Sequence, residues 1–334
     1  MRVRILGGGW YGCHIATALM SRGHEVELHD VASHLFAGAS GGNPARLHLG
    51  FHYPRSRITR AMCQETHRAF MDRYGDLTRT VPLNVYAIAA GESLVDFGTY
   101  LQVLRGEVEF VQLERPTEIG LRHVEGAILT GERHIVIGAA RQHFEAKLGE
   151  VCRFNVPPAD PTEMFARGFD VTIDCTFCAR EGANVERYEP CVTGLLEGPT
   201  DRAITIMDGP FPSLYPWDEA AGLSSLTSAK YTPLRRCSRW GEANDVLKNV
   251  SATAVDLQVR SMFDQLCHFY PIARDLYRVV GAKLSIRAQP RSGADARFVD
   301  VVWTGPATLR VRAGKIDAIL HAERLVEEAL SCRC

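Results

Sequence analysis

Gly7, Gly9 and Gly12 stand between a short apolar run, RVRIL at 2–6, and a segment of helical periodicity. No other feature limits the possible folds of this chain so tightly. The arrangement predicts a β-α-β unit: a strand over 2–6, a helix from Tyr11 to Arg22 with Ile15, Ala16 and Leu19 on one face, and a second strand, EVELHD, closing at Asp30. Gly7 permits the tight turn, Gly9 lets backbone approach a diphosphate, and Gly12 lets the helix pack on the strand. The amino end of that helix, Trp10 and Tyr11 included, offers unpaired N–H groups and partial positive charge to phosphates. Asp30, eighteen residues past Gly12, sits where an acid accepts hydrogen bonds from ribose hydroxyls. Ala16, Leu19, Gly23 and Val26 extend the pattern and point to dinucleotide binding.

An NAD domain would continue with further β-α units. Here a loop rich in Gly, Ser and Asn (37–44) follows Asp30 directly, and a buried core strand returns only in GFDVTIDCTF at 168–177. This favours FAD, with an NAD dehydrogenase as the alternative. Helical patterning is expected at 57–74, 139–148 and 243–280, and strands at LNVYAIA (83–89) and in several short runs between 190 and 233. Residues 314–330 predict an amphipathic helix with Ile316, Ile319, Ala322, Val326 and Ala329 inward. The expected fold is α/β and interleaved: an FAD-binding domain from 1–80, 130–180 and 282–334, and an inserted antiparallel-sheet α+β substrate domain from 81–129 and 181–281.

The stretch Gly38-Ala39-Ser40-Gly41-Gly42-Asn43, followed by Arg46-Leu47-His48-Leu49-Gly50-Phe51-His52-Tyr53, resembles the D-amino-acid oxidase superfamily, which includes glycine and sarcosine oxidases and L-2-hydroxyglutarate oxidase. The resemblance implies a Rossmann-like FAD domain of the GR2 type. It implies that the loop wraps the flavin ring, with Ser40, Asn43, Arg46 and Leu47 against the cofactor. DVTIDCT (170–176) resembles the family strand that ends beside the adenosine half of FAD, which places Thr176 there, although Phe177 stands where the family has glycine. KLSIRAQPRSGAD (283–295) resembles the stretch whose arginine binds a substrate carboxylate, which makes Arg287 the anchor. Arg46, Arg291 and Arg297 compete for that role. Gly314-Lys315-Ile316 falls where the family's last glycine turn starts a helix aimed at the flavin pyrimidine edge, where Lys315 would stabilise negative charge. The longer family motif around it is not preserved, and a solvated capping lysine is an equal alternative.

His48 and His52 follow the flavin loop in phase with Arg46, and histidine suits proton handling at neutral pH. Packed histidines bonded to backbone would serve equally well, and Tyr53 and Tyr231 are weaker candidates. The superfamily reaction is hydride transfer to flavin N5 from a carbon bearing an amine or a hydroxyl. The resemblance implies a small amine or amino-acid-like substrate, first an N-substituted glycine, with oxygen or another acceptor reoxidising the flavin. It extends to compact phage and surface-polysaccharide enzymes, hence to a glycyl group carried on a modified nucleobase in phage DNA. A 2-hydroxy acid, an amino-sugar and a non-catalytic flavin protein are the alternatives.

A net charge of −1 gives no sign of nucleic acid or acidic membranes as partners, and no apolar run approaches the ~18 residues of a membrane span. The first strand leaves no room for a signal peptide, and ten scattered cysteines fit reduced thiols in the cytoplasm. Cys175-x-x-Cys178 lacks a second such pair, so no metal is expected.

Overall fold

The structure is a computed structural model and describes residues 1–157, 168–177, 185–290 and 299–332. The described elements begin with β1 (Arg2–Leu6), α1 (Trp10–Ser21), β2 (Glu25–His29), β3 (Arg46–Leu47), α2 (Arg57–Tyr74), β4 (Thr78–Thr80) and β5 (Leu83–Ala89). Next come α3 (Phe97–Leu104), β6 (Phe110–Leu113), β7 (Val124–Thr130), β8 (Arg133–Ile135), α4 (Ile137–Leu148) and β9 (Cys152–Arg153). The middle holds β10 (Val171–Asp174), β11 (Val185–Glu197), β12 (Arg202–Met207), β13 (Pro212–Asp218) and β14 (Leu223–Ser228). The last part holds α5 (Trp240–Asn249), α6 (Ala252–Phe269), α7 (Ala273–Leu276), β15 (Arg278–Pro290), β16 (Asp300–Gly305), β17 (Thr308–Arg312) and α8 (Ile319–Ser331).

Three sheets organise these elements. A six-stranded sheet has the order β16-β17-β10-β1-β2-β9, with β1 parallel to both β2 and β10. Val3, Ile5 and Leu6 are buried, as expected of a parallel strand covered on both faces. The chain leaves β1 for β2 on one side and reaches β10 on the other. The carboxyl end of β1 is therefore a topological switch point, where open α/β sheets bind ligands. Helices α1, α4 and α8 share one apolar core with this sheet. An eight-stranded, mostly antiparallel sheet, β15-β11-β14-β13-β12-β5-β7-β6, forms a second core with α6. The small sheet β3-β8-β4 stands beside them and carries Arg46 opposite His134.

The α/β architecture matches the expectation, as do the limits of α2 and β5. Strand β15 differs. It pairs with β11 along its whole length, so residues 282–290, which the sequence groups with the nucleotide-binding part, lie in the eight-stranded sheet. The carboxy-terminal helix differs only in how it starts: a 3-10 turn over Ile316–Ala318 precedes α8, whose Ile319, Ala322 and Val326 are buried as expected, with Ala329 packed against the core and Leu330 buried as well. No helix among the described residues is long and apolar enough to cross a membrane.

Candidate active site and cofactor cradle

The glycine crook is built as its spacing requires. Gly7 has φ +99°, and a Cβ there would lie 2.7 Å from the Cys175 carbonyl oxygen of the neighbouring strand end. A Cβ on Gly12 would lie 1.9 Å from the Gly7 carbonyl oxygen, so only glycine lets α1 start against the turn. Helix α1 begins with no side-chain cap and no acid in its first turn. The Trp10 N–H donates to Ser40 Oγ at 3.0 Å, which stitches the following loop over the helix end. Asn43 braces that loop, donating to the Ala39 carbonyl at 2.9 Å and accepting from the Ala45 N–H at 2.7 Å. Asp30 ends the second strand with its carboxylate fixed by the Gly8 N–H at 2.5 Å and the Ala32 N–H at 2.8 Å.

A cluster of polar side chains gathers beyond the loop. The His48 ring lies 5.9 Å from the His52 ring and 5.7 Å from the Tyr53 ring, and Lys315 Nζ sits 3.9 Å over Tyr53. Lys315 also touches the Cys63 thiol of α2. Arg46 donates to the Tyr86 hydroxyl at 2.9 Å and to Ser213 Oγ at 2.7 Å, with its guanidinium 4.2 Å from the Tyr215 ring centre. Glu132, whose side chain is fully buried, accepts from Tyr86 Oη at 2.5 Å and the Leu49 N–H at 2.8 Å. Its Oε1 stands 3.5 Å from His48 Nδ1.

No protein-family model matches the chain. It is 32% identical over 330 residues to the FAD-dependent monooxygenase FPY4 of Fusarium mangiferae, covering 96% of this chain and 89% of that one. The chain belongs to the FPY4 family of FAD-dependent enzymes. It is also 26% identical to the FAD-dependent monooxygenase kojA of Aspergillus flavus, covering 96% of this chain and 84% of that one. Among solved structures its fold is similar to that of glycine oxidase from Geobacillus kaustophilus, with TM-score 0.68, 17% identity and coverage of 98% and 93%. L-α-glycerophosphate oxidase from Mycoplasma pneumoniae, solved with FAD bound, gives TM-score 0.69 at 11% identity, with coverage of 97% and 92%.

FAD is the cofactor of this flavoenzyme, and the cradle fits it. The amino end of α1 has no cap from its own N-cap residue Gly9 and no acid in its first turn, which suits a diphosphate beside the Ser40 loop, and Asp30 keeps lone pairs for ribose hydroxyls. Thr176 lies beside the crook: a Cβ on Gly7 would come 3.3 Å from its N–H, and its hydroxyl donates to Asp174 Oδ1 at 2.6 Å. Phe177 adopts φ +56°, so the backbone takes a left-handed form without the glycine that the resemblance led one to expect. Leu47 is wholly buried in the core under the loop, and Ile316 opens the 3-10 turn before α8. Tyr11 braces the Gly314–Lys315 turn, donating to the Lys315 carbonyl and accepting from the Gly314 N–H.

Electrostatics set the protonation of the cluster. Burial pushes the His48 imidazole below its ordinary range; Glu132 opposes this, while Lys315 and Arg46 reinforce it. His52 is driven further down by burial, Arg46 and His48. Both rings are therefore neutral at pH 7. Burial alone would raise the Glu132 carboxyl, but His48, Arg46 and the Tyr86 hydroxyl together outweigh it and hold it at about 2. Lys315 stays charged: burial lowers it, and Tyr53, Cys63 and Asp317 more than compensate.

The structure thus brings His48, His52, Tyr53, Arg46 and Lys315 together. Arg287 makes its contacts outside this group. It lies on β15 two residues beyond Ser285, which packs on Gly42 of the loop, and it pairs with Glu189 at 2.6 Å. Arg187 and Arg236 reach the same carboxylate, at 3.1 and 3.8 Å. Arg291, Arg297 and Cys178 lie outside the described residues. Tyr231 packs on the α6 core, under Lys230. Glu132, Tyr86 and Cys63 escaped the sequence reading. An acid in the turn Thr130-Gly131-Glu132 reads as solvated, and only the flanking strands β7 and β8 hint that it points inward.

Proposed function

We propose that this flavoenzyme dehydrogenates a small molecule at a carbon bearing an amine or a hydroxyl, with His48 accepting the heteroatom proton. Bound FAD supplies the hydride acceptor, flavin N5. The observation that carries the reading is the His48 imidazole 3.5 Å from a buried carboxylate, with Arg46 and Lys315 gathered about the same group, where burial favours the neutral ring. A neutral ring can take a proton, and the cations favour negative charge developing next to them.

The amine reading, with an N-substituted glycine first, draws support from the names of similar structures: glycine oxidase, iminodiacetate oxidase and L-amino acid deaminase. A carboxylate on that substrate needs a guanidinium. Arg46 shares the cluster with His48 and is held by neutral hydroxyls, whereas Arg287 is already paired with Glu189. We therefore assign the anchor to Arg46 ahead of Arg287. A glycyl group carried on a nucleobase is an extension of this reading and has no electrostatic support in a net charge of −1. The hydroxyl reading is favoured by the buried base itself. An alcohol must lose its O–H proton as the hydride leaves, whereas a neutral amine can go to an iminium without a base.

The test is anaerobic mixing of FAD-loaded protein with N-substituted glycines and with 2-hydroxy acids, following loss of flavin absorbance. Bleaching by the first series with release of free amine supports the amine reading, and bleaching by the second the hydroxyl reading. Bleaching by neither refutes both for these classes. Because FPY4 and kojA are named monooxygenases, products formed under labelled oxygen are to be checked for oxygen insertion.

A further inference from the structure

Glu132 sits in the short turn between β7 and β8, where a carboxylate would ordinarily face water, yet the residue is 1% exposed. Its backbone carbonyl accepts from Asn84 Nδ2 at 2.9 Å, which holds the turn on β5. Its carboxylate accepts from Tyr86 Oη and from the Leu49 N–H, so it is tied to the residue next to His48. Arg46 reaches it only through the Tyr86 hydroxyl. Among the described residues no guanidinium bonds to this carboxylate directly, so its burial is offset by the other groups gathered around it. The polar atom it faces is His48 Nδ1 at 3.5 Å, which is buried and has no hydrogen bond of normal geometry. Such catalytic contacts are often long in the free enzyme and tighten with substrate bound.

We infer that Glu132 is a positioning residue that acts through His48: it accepts the Nδ1–H, leaves the Nε2 lone pair free to take the substrate proton, and faces the imidazolium that results. The inference rests on His48 being the proton acceptor. The proton moves from the substrate heteroatom to Nε2 and goes no further, because Glu132 stays ionised throughout. The charged and titratable groups around His48 are Glu132, Arg46, Lys315, His52 and Tyr53. Among these, Glu132 is the one whose oxygen stands within 3.5 Å of Nδ1. A merely structural Glu132, balancing Arg46, would leave the imidazole tautomer unaffected.

The experiment compares FAD-loaded wild type with Glu132→Gln, His48→Gln and the double variant. It reads kcat and KM separately, and it reads the His48 tautomer by long-range 1H–15N NMR. In the wild type the proton is expected on Nδ1. Glu132→Gln should lower kcat by roughly 10² or more, with KM held within about twofold, and the double variant should be no slower than His48→Gln. Glu132→Asp should recover part of the loss. If Glu132→Gln binds FAD poorly, the wild-type tautomer and the Glu132→Asp kinetics decide. An inert His48→Gln beside a fully active Glu132→Gln overturns this inference alone, as does a wild-type proton on Nε2. A His48→Gln that turns over normally overturns the proton-acceptor reading and this inference with it.

Discussion

The Tyr11 hydroxyl donates to the Lys315 carbonyl at 2.6 Å across 304 residues of sequence and accepts from the Gly314 N–H at 3.0 Å. One side chain from the first turn of α1 thus fixes the turn that aims Lys315 at Tyr53. Tyr11 is buried, so losing the hydroxyl strands a carbonyl and an N–H together. Tyr11→Phe should destabilise the fold by about 1–3 kcal/mol, measured by chemical denaturation. It should also loosen Lys315, seen as weaker FAD retention on dilution. Unchanged stability would remove the brace from the account.

Gly12 meets the Gly7 carbonyl where any Cβ would collide. Gly12→Ala must push α1 away from the crook and misplace its amino-end N–H groups. The purified variant should carry little FAD, read from its visible spectrum before and after denaturation. Gly23→Ala is the comparison for losing a glycine outside the crook, since nothing lies within 4 Å of a Cβ there, although its φ of +80° makes it costly too.

The two guanidiniums make different predictions. Arg46→Met removes a cation whose hydrogen bonds go to hydroxyls inside the cluster, so KM for a carboxylate-bearing substrate should rise by about 10²-fold or more. Arg287→Met leaves Glu189 with Arg187 and Arg236 still beside it, and its effect on KM should be smaller. Steady-state kinetics on the pair check the assignment; a larger effect at Arg287 would return the anchor to that residue.

Acid stability depends in part on the seam between α1 and α8. Glu323 contacts His14 Nε2 and Arg22, each at 2.8 Å, and these bonds hold its carboxyl at about 2. A carboxyl depressed in the folded state contributes stability above its unfolded value, and that contribution is lost as pH falls toward the folded one. Thermal melts should therefore drop between about pH 4.5 and pH 2. Glu323→Gln should flatten part of that drop, with Glu132, also held at about 2, supplying part of the remainder. Parallel melting curves for the two proteins would contradict the assignment.

The crook was legible because its glycines answer steric demands within a dozen residues, and α2 and β5 because their periodicity is local. Strand β15 was not, since its place depends on hydrogen bonds to β11 some ninety residues earlier, and nothing in 278–290 records the partner. The inward face of α8 was legible too: Ile319, Ala322 and Val326 are buried, Ile316 and Ala329 pack against the same core, and Leu330 joins them. His48, His52, Arg46 and Lys315 were found through the resemblance and do meet in space. Glu132 could not be, because an acid in a glycine turn carries no sign of being buried until three strands close around it.

The most direct check on the proton-acceptor reading is the rate of anaerobic flavin bleaching as a function of pH, for wild type and His48→Gln with the same donor. With His48 neutral and depressed by burial, the acid limb should fall below the ordinary histidine value of about 6.5. His48→Gln should lose that limb and slow by roughly 10²–10⁴. Equal rates and identical pH profiles in the two proteins would contradict the account.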